Sequence, residues 1–309
     1  MKAGLQYGIL SAFALPVLIW TAGCMEEPTG EGIASKTVVS RGIITASLLR
    51  HVEAGAEEPF ESFNLTGVFA RFPTEESGTV DELWDQRLGG MDLSLDSCTA
   101  PTPVLESRVE PQEPQAERAI ELLDVGDLSV GLDGERKTVP TRTFPDLLKV
   151  AVGVIYSADE THGVTFRPGE RYDIRATGSD DADLFRVDLD APADLGTILV
   201  DGTNPEEETP LVLRGRPVRL TWEGDGYGDE VIASIRWTAM GTPWEVTCRM
   251  RDDGVFNIPR SVTSALPDPL TVTDEEIYIQ RFRQVAFRSA GLSNGSFQFI
   301  VSTNFPIKF

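Results

Sequence analysis

The chain has 309 residues, 41% of them hydrophobic, with 49 acidic against 27 basic side chains and a formal net charge of −22 at neutral pH. The apolar content excludes global disorder, and the acidic excess argues against nucleic acid as a partner, because that binding depends on Lys and Arg neutralising phosphates. Three cysteines without C-x-x-C spacing carry no zinc or iron signature.

The first element is an apolar run from Ile9 to Trp20, interrupted by Pro16 and preceded by Lys2. At about a dozen residues it is shorter than the roughly 20 a bilayer span needs, and it fits a secretory h-region. Ala22-Gly23-Cys24 closes the run in the pattern of a bacterial lipoprotein signal, with Thr21 where that pattern has Leu. Residues 1–23 are therefore expected to be a signal peptide and Cys24 the lipidated first residue of the mature chain. Acyl chains contribute about 0.8 kcal/mol per buried methylene, enough in combination to hold a protein on a membrane without a span. Simple cleavage with release and an uncleaved buried helix are the alternatives. Met25 rather than Asp follows Cys24, and by similarity to the sorting of Gram-negative lipoproteins this points to the outer membrane. Residues 24–36, acidic and containing Gly and Pro, read as a flexible tether that would reach ~40 Å when extended.

From residue 37 onward the dominant period is two. Strand patterns cover 37–49, 63–72, 148–156, 171–176, 184–189 and 196–201, then 210–215, 217–223, 230–239, 243–251, 276–287 and 296–303. Helical spacing is confined to 114–127 and to a short proline-bounded stretch at 259–267. Residues 73–116, rich in proline and turn-formers, read as a long loop. The expected fold is all-β: two packed antiparallel β-sandwich units, immunoglobulin-like or jelly-roll-like, with few short helices. The boundary falls in the acidic "DGTNPEEETP" stretch, giving units 37–204 and 205–309. The second has the size and strand count of an immunoglobulin-like domain but lacks its Cys…Trp…Cys spacing.

If Cys24 carries lipid, Cys98 and Cys248 remain as an even pair. A disulfide between them would contribute on the order of 4–5 kcal/mol in the chain-entropy model; two buried free thiols are the alternative. "GLSNG" (291–295) matches G-x-S-x-G, but a strand pattern follows it, so Asn294-Gly295 is expected to be a hairpin turn rather than a nucleophile elbow. His51 and His162 lie in polar surroundings with no third feature completing a Ser-His-Asp system. Two Gly-containing acidic stretches offer hard oxygen ligands for calcium: Asp225, Asp229 and Glu230, or Asp180, Asp181 and Asp183. Neither matches the twelve-residue EF-hand loop, and no other cofactor is expected.

Three segments carry a family resemblance: "PGERYDIRATGSDDADLFRVDLDAP" (168–192), "RLTWEGDGYGDEVIASI" (219–235) and "VTCRMRDDGVFNIPRSVTSALPDPLTV" (246–272). Together they resemble uncharacterised predicted lipoproteins of myxobacteria and related bacteria. The resemblance implies an address and a β-rich ectodomain, with no assigned activity. The expectation is a non-enzymatic, membrane-anchored extracytoplasmic lipoprotein with a structural or binding role and a protein or glycan partner. An extracytoplasmic hydrolase with a loop-assembled site and a calcium-dependent adhesion module are the alternatives.

Overall fold

Side chains that alternate between water and an apolar interior build strands, and strands dominate here. The computed structural model describes residues 38–56, 58–73, 93–104, 120–144, 151–212, 214–226, 228–268 and 271–309. The expected signal peptide, Cys24 and the tether lie outside them.

Two long hairpins dominate the fold. β1 (Val38–His51) pairs antiparallel with β2 (Phe60–Pro73), and β17 (Val272–Ser289) pairs antiparallel with β18 (Leu292–Pro306). They meet through a parallel β1–β18 pairing, Arg41 opposite Asn294 through His51 opposite Asn304. This departs from the expected purely antiparallel arrangement. On the β17 side the sheet continues into β14 (Glu230–Ala239) and β15 (Thr242–Arg251). Short β3 (Ser97–Cys98) and β4 (Thr102–Pro103) cap the β15 edge. On the β2 side follow β5 (Ile120–Leu122), β9 (Ala151–Asp159) and β8 (Thr141–Phe144), completing an eleven-stranded sheet.

Two smaller sheets close the interior. β6 (Leu128–Leu132), β7 (Glu135–Thr138), β10 (Arg171–Ala176) and β11 (Phe185–Asp190) form a four-stranded sheet. β12 (Leu199–Val200), β13 (Val218–Thr221) and β16 (Val255–Ile258) form a three-stranded one. Between the large and four-stranded sheets lies the first core, with Ile44, Leu65, Phe69 and Phe299 against Val130, Ile174 and Phe185. Between the large and three-stranded sheets lies the second, with Val231, Ile235, Ile277 and Phe305 against Val200, Leu220 and Ile258. Strands from both sides of residue 204 share the large sheet, and β17 and β18 line both cores. The cores divide between Ala191 and Leu195, upstream of the expected boundary at 204/205. Residues Lys36–Phe309 cohere as one unit.

Several local expectations are corrected. The turn of the β17–β18 hairpin is Ala290-Gly291, with Gly291 at φ 89°, and Asn294-Gly295 lies inside β18. A Cβ at Gly295 would sit 2.5 Å from the Phe287 ring, so that glycine serves cross-strand packing rather than a turn. Of the expected helix 114–127, residues 114–119 lie outside the described set, and Ile120–Leu122 is strand β5, not helix. The described residues of the 210–215 stretch contribute a single bridge, Leu211 to Lys308. The stretch 259–267 does form a short helix, α1 (Arg260–Ser264), after Pro259. Within the expected 73–116 loop, residues 93–104 carry β3 and β4.

Candidate functional site: an arginine waist between two cores

The inward face of β17 reads Ile277, Ile279, Arg281, Arg283, Val285, Phe287, one residue in two. Ile277 and Ile279 belong to the second core and Phe287 to the first. The inward face of β1 reads Ile44, Ala46, Leu48, Arg50, Val52, with Leu48 in the first core and Val52 in the second. Arginines therefore occupy inward positions where one core gives way to the other. An arginine withdrawn from water needs acceptors for its planar fork, and the loops at this waist supply them.

Arg281 is fully buried. Its Nη1 donates to Ala193 O at 2.8 Å and Asp194 O at 2.6 Å, and its Nη2 to Asp252 Oδ1 at 2.9 Å and to Glu223 O. Nε lies 2.7 Å from Asp252 Oδ2, an ion pair in which the N–H is not aimed at the oxygen. Trp222 Nε1 donates to Asp252 Oδ1 at 2.7 Å, so one carboxylate joins β17, the end of β13 and the β15–β16 turn.

Arg283 lies one step nearer the first core. Nε donates to Asp229 Oδ1 at 2.7 Å, Nη2 to Asp229 Oδ2 at 2.5 Å and Asp225 Oδ2 at 2.8 Å, and Nη1 to Asp190 O at 2.8 Å. Burial works against the charge on Arg283, but Asp229 and Asp225 outweigh it and hold the guanidinium above its usual range. Arg50 Nη2 pairs with Glu206 Oε1 at 3.1 Å. The segment joining the cores, residues 190–194, thus gives three carbonyls to two arginines of one strand.

This geometry settles where the candidate calcium ligands go. Asp225 and Asp229 do converge, but on the guanidinium of Arg283. Glu230 faces elsewhere, its Oε1 and Oε2 taking Arg249 Nη2 at 2.5 Å and Nε at 2.8 Å. Asp181 Oδ2 accepts from Asp124 N at 3.3 Å. Among the described residues, no group of three or more His, Cys, Asp and Glu is placed to hold a metal. The expected ligand set Asp225, Asp229 and Glu230 is not assembled, because fixed cations already compensate these carboxylates.

Cys98 and Cys248 form a disulfide with S–S 2.05 Å, between residues directly opposite on β3 and β15. The histidines are held locally. His51 Nδ1 is 3.1 Å from Asn304 Oδ1 and its Nε2 3.4 Å from Glu53 Oε1. His162 closes a one-turn capping box: Asp159 Oδ1 lies 2.7 Å from its Nδ1, and Thr161 Oγ1 lies 3.4 Å from the same nitrogen. A relay needs the carboxylate and the hydroxyl on opposite ring nitrogens, so this trio caps a turn. Surface depressions of about 200 and 290 Å³ flank the β6–β7 hairpin, below the roughly 300–1,000 Å³ of small-ligand pockets. At the waist, Arg281 and Arg283 tie β17 to residues 190–194, to Glu223 and Asp225, and to Asp229 and Asp252. Its arginines were readable in one respect, since Arg50, Arg281 and Arg283 fall in phase with apolar inward positions.

No family model matches the chain, and no curated protein matches it. Among solved structures, the Fcho1 mu homology domain of Danio rerio with bound Eps15 peptide aligns with 86% of this chain and 96% of its own length at 6% identity, TM-score 0.22. The yeast delta-COP-I mu-homology domain aligns with 86% of this chain and 95% of its own at 11% identity, TM-score 0.21. Likeness at this level establishes neither a shared fold nor a shared activity.

Proposed function

We propose that the protein is a membrane-anchored extracytoplasmic lipoprotein whose β-rich ectodomain has a binding rather than a catalytic role. The carrying observation is the cysteine count. With Cys98 and Cys248 joined, Cys24 is the one cysteine left over, and it directly follows Ala22-Gly23 at the end of the apolar leader. A disulfide also suits an oxidising compartment outside the cytoplasm. We read the two cores as β-sandwich units, the second immunoglobulin-like in size, and the sheets on either side of each core support that reading. A lipid on Cys24 would restrain the folded part through Val38, beside the Ala290-Gly291 turn, where Ser40 Oγ donates to Gly291 O. Outer-membrane address remains part of the proposal on the strength of Met25. Capped histidines and compensated carboxylates favour binding over hydrolysis.

Intact mass of the membrane-extracted protein tests the reading. The expected chain starts at Cys24, carries acyl chains and gains two hydrogens on reduction. A chain that starts elsewhere or carries no lipid would overturn it, as would a Cys24→Ser variant that stays in the membrane fraction.

A further inference from the structure

The hairpin turn between β14 and β15 carries an apolar side chain where local chemistry asks for a polar one. Met240 and Gly241 form a two-residue turn with both residues at positive φ, 51° and 77°, a geometry that favours Asn, Asp or Gly. Among the described residues, the other non-glycine positions at positive φ all hold aspartate: Asp96, Asp133, Asp201 and Asp274. Met240 alone departs from that choice. Its side chain is 97% exposed, more than any other large hydrophobic described, so core packing does not account for it. An apolar residue that strains the backbone and touches no core serves something outside the fold.

What surrounds Met240 narrows the partner. Val104 N donates to Pro243 O at 2.8 Å and Pro103 lies opposite Trp244, which sets the end of the β4 segment against the turn. Val104 is 39% exposed, Pro103 and Pro243 are exposed, and Trp244 is half-buried. Prolines have no N–H, and that of Val104 is already bonded, so the tip presents few free backbone donors. No residue from Thr99 to Val104 or from Trp237 to Trp244 is charged. Charge returns one step behind the tip, where Arg236 and Glu245 pair with each other at 2.9 Å.

A protein interface carries about one hydrogen bond per 100–200 Å², which this tip is poorly equipped to make. A lipid surface asks instead that inserted backbone be bonded internally and that aromatic rings sit at the boundary with water. The tip meets that pattern, with Met240 leading, Trp244 set back and the strands paired on either side. A net charge of −22 opposes anionic lipid, so the matching surface is zwitterionic.

We propose that the Met240 tip inserts shallowly into the headgroup boundary of a zwitterionic lipid bilayer. Ala239 pairs with Val272 at the start of β17, and the Ala290-Gly291 turn beside β1 follows its end. The tip therefore lies about 55 Å along β17 from where the tether enters, a contact separate from the anchor read at Cys24 and argued from the tip alone.

Methionine oxidation tests the contact, because sulfoxide formation follows exposure to water. The full chain, extracted in detergent and reconstituted in phosphatidylcholine vesicles, is treated with peroxide. Free methionine in the same mixture gives the fast limit, and Met250, 0% exposed, the slow one. Met240 should oxidise about tenfold more slowly than free methionine. Val104→Asp, which sets a charge beside it, should return Met240 to near the free rate with the melting temperature unchanged. Met240→Asn, which suits the left-handed backbone, should melt no lower than the unaltered protein. Oxidation of Met240 at the free rate, protection indifferent to Val104→Asp, protection found only with phosphatidylglycerol in the vesicles, or a lower melting temperature for Met240→Asn would each overturn the proposal. So would sedimentation in detergent showing a dimer that Val104→Asp dissociates, since the tip would then meet a second copy. Protection in a chain that carries no lipid would sink the anchoring reading alone, and an acylated chain with Met240 unprotected would sink only this one.

Discussion

Asp252 and Arg281 form an ion pair whose side chains are 1% and 0% exposed, at the edge of the second core beside Trp222. Breaking a buried pair strands a charge in a medium that cannot solvate it, at a cost of about 3–5 kcal/mol. Asp252→Ala, which also takes the acceptor from Trp222 Nε1, and Arg281→Met should each lower stability by about that amount. The double variant should lose clearly less than the two losses together. Urea unfolding of the four proteins reads this directly, and strictly additive losses would show that the two residues do not act as a pair.

Gly42 and Gly295 are neighbours across the parallel β1–β18 pairing, and each lies beneath a cross-strand phenylalanine, Phe69 and Phe287. A Cβ would approach those rings to 2.6 Å and 2.5 Å. Gly42→Ala and Gly295→Ala should therefore each cost about 1–3 kcal/mol through overpacking. In a Phe287→Ala background the Gly295→Ala cost should largely vanish, as thermal melting of the single and double variants would reveal.

The Cys98–Cys248 bond links residues 150 apart in sequence, which in the chain-entropy model contributes on the order of 4–5 kcal/mol. Reduction, or Cys98→Ala with Cys248→Ala, should lower the denaturation midpoint accordingly. An unchanged midpoint would mean that the bond does not form or does not constrain the unfolded chain.

Stability should fall off at both ends of the pH scale. Thr161 and His162 hold Asp159 down from 3.8 to about 2, so its contribution is full above 3.8 and is lost as pH falls toward 2. Asp173 acts in the same direction, lowered chiefly by Arg175. Burial raises the Tyr172 phenol from 10.0 to about 12, so its contribution is intact below pH 10.0 and lost as pH climbs toward 12. Tyr156 is raised likewise by burial and by its bond to Asp124. Melting temperature against pH should show both losses, with Asp159→Asn flattening the acid limb and Tyr172→Phe the alkaline one.

The strands most legible in the sequence are those with one wet face. β10, β11 and β16 alternate cleanly, and in β15 Cys248 faces the second core as its phase requires, although Thr247 on the other face is buried as well. β7 was invisible because Glu135, Arg136, Lys137 and Thr138 are all exposed and carry no apolar phase. Its signal was instead the Asp133-Gly134 turn, both residues at positive φ. Asn294-Gly295 misled for the converse reason: the dipeptide favours a turn, but the Phe287 ring needs a glycine there, and packing overrode local preference. The waist was hidden because acidic loop residues invite a metal reading until the arginines that neutralise them are placed. Those arginines come from β17 and β1, remote in sequence and brought inward only by strand phase.

The parallel pairing of β1 with β18 has a kinetic consequence. Its partners lie some 250 positions apart, Arg41 with Asn294, so the first long hairpin cannot gain its central neighbour until nearly the whole chain is present. Contacts of such sequence separation slow folding, since loop closure costs entropy before the contact repays it. A chain emerging from synthesis or passing through a translocation channel would stay open at the middle of its main sheet until the last strand arrived. Folding should then be a late, slow event, and a truncation that removes β18 should leave β1 and β2 without the partner that closes either core.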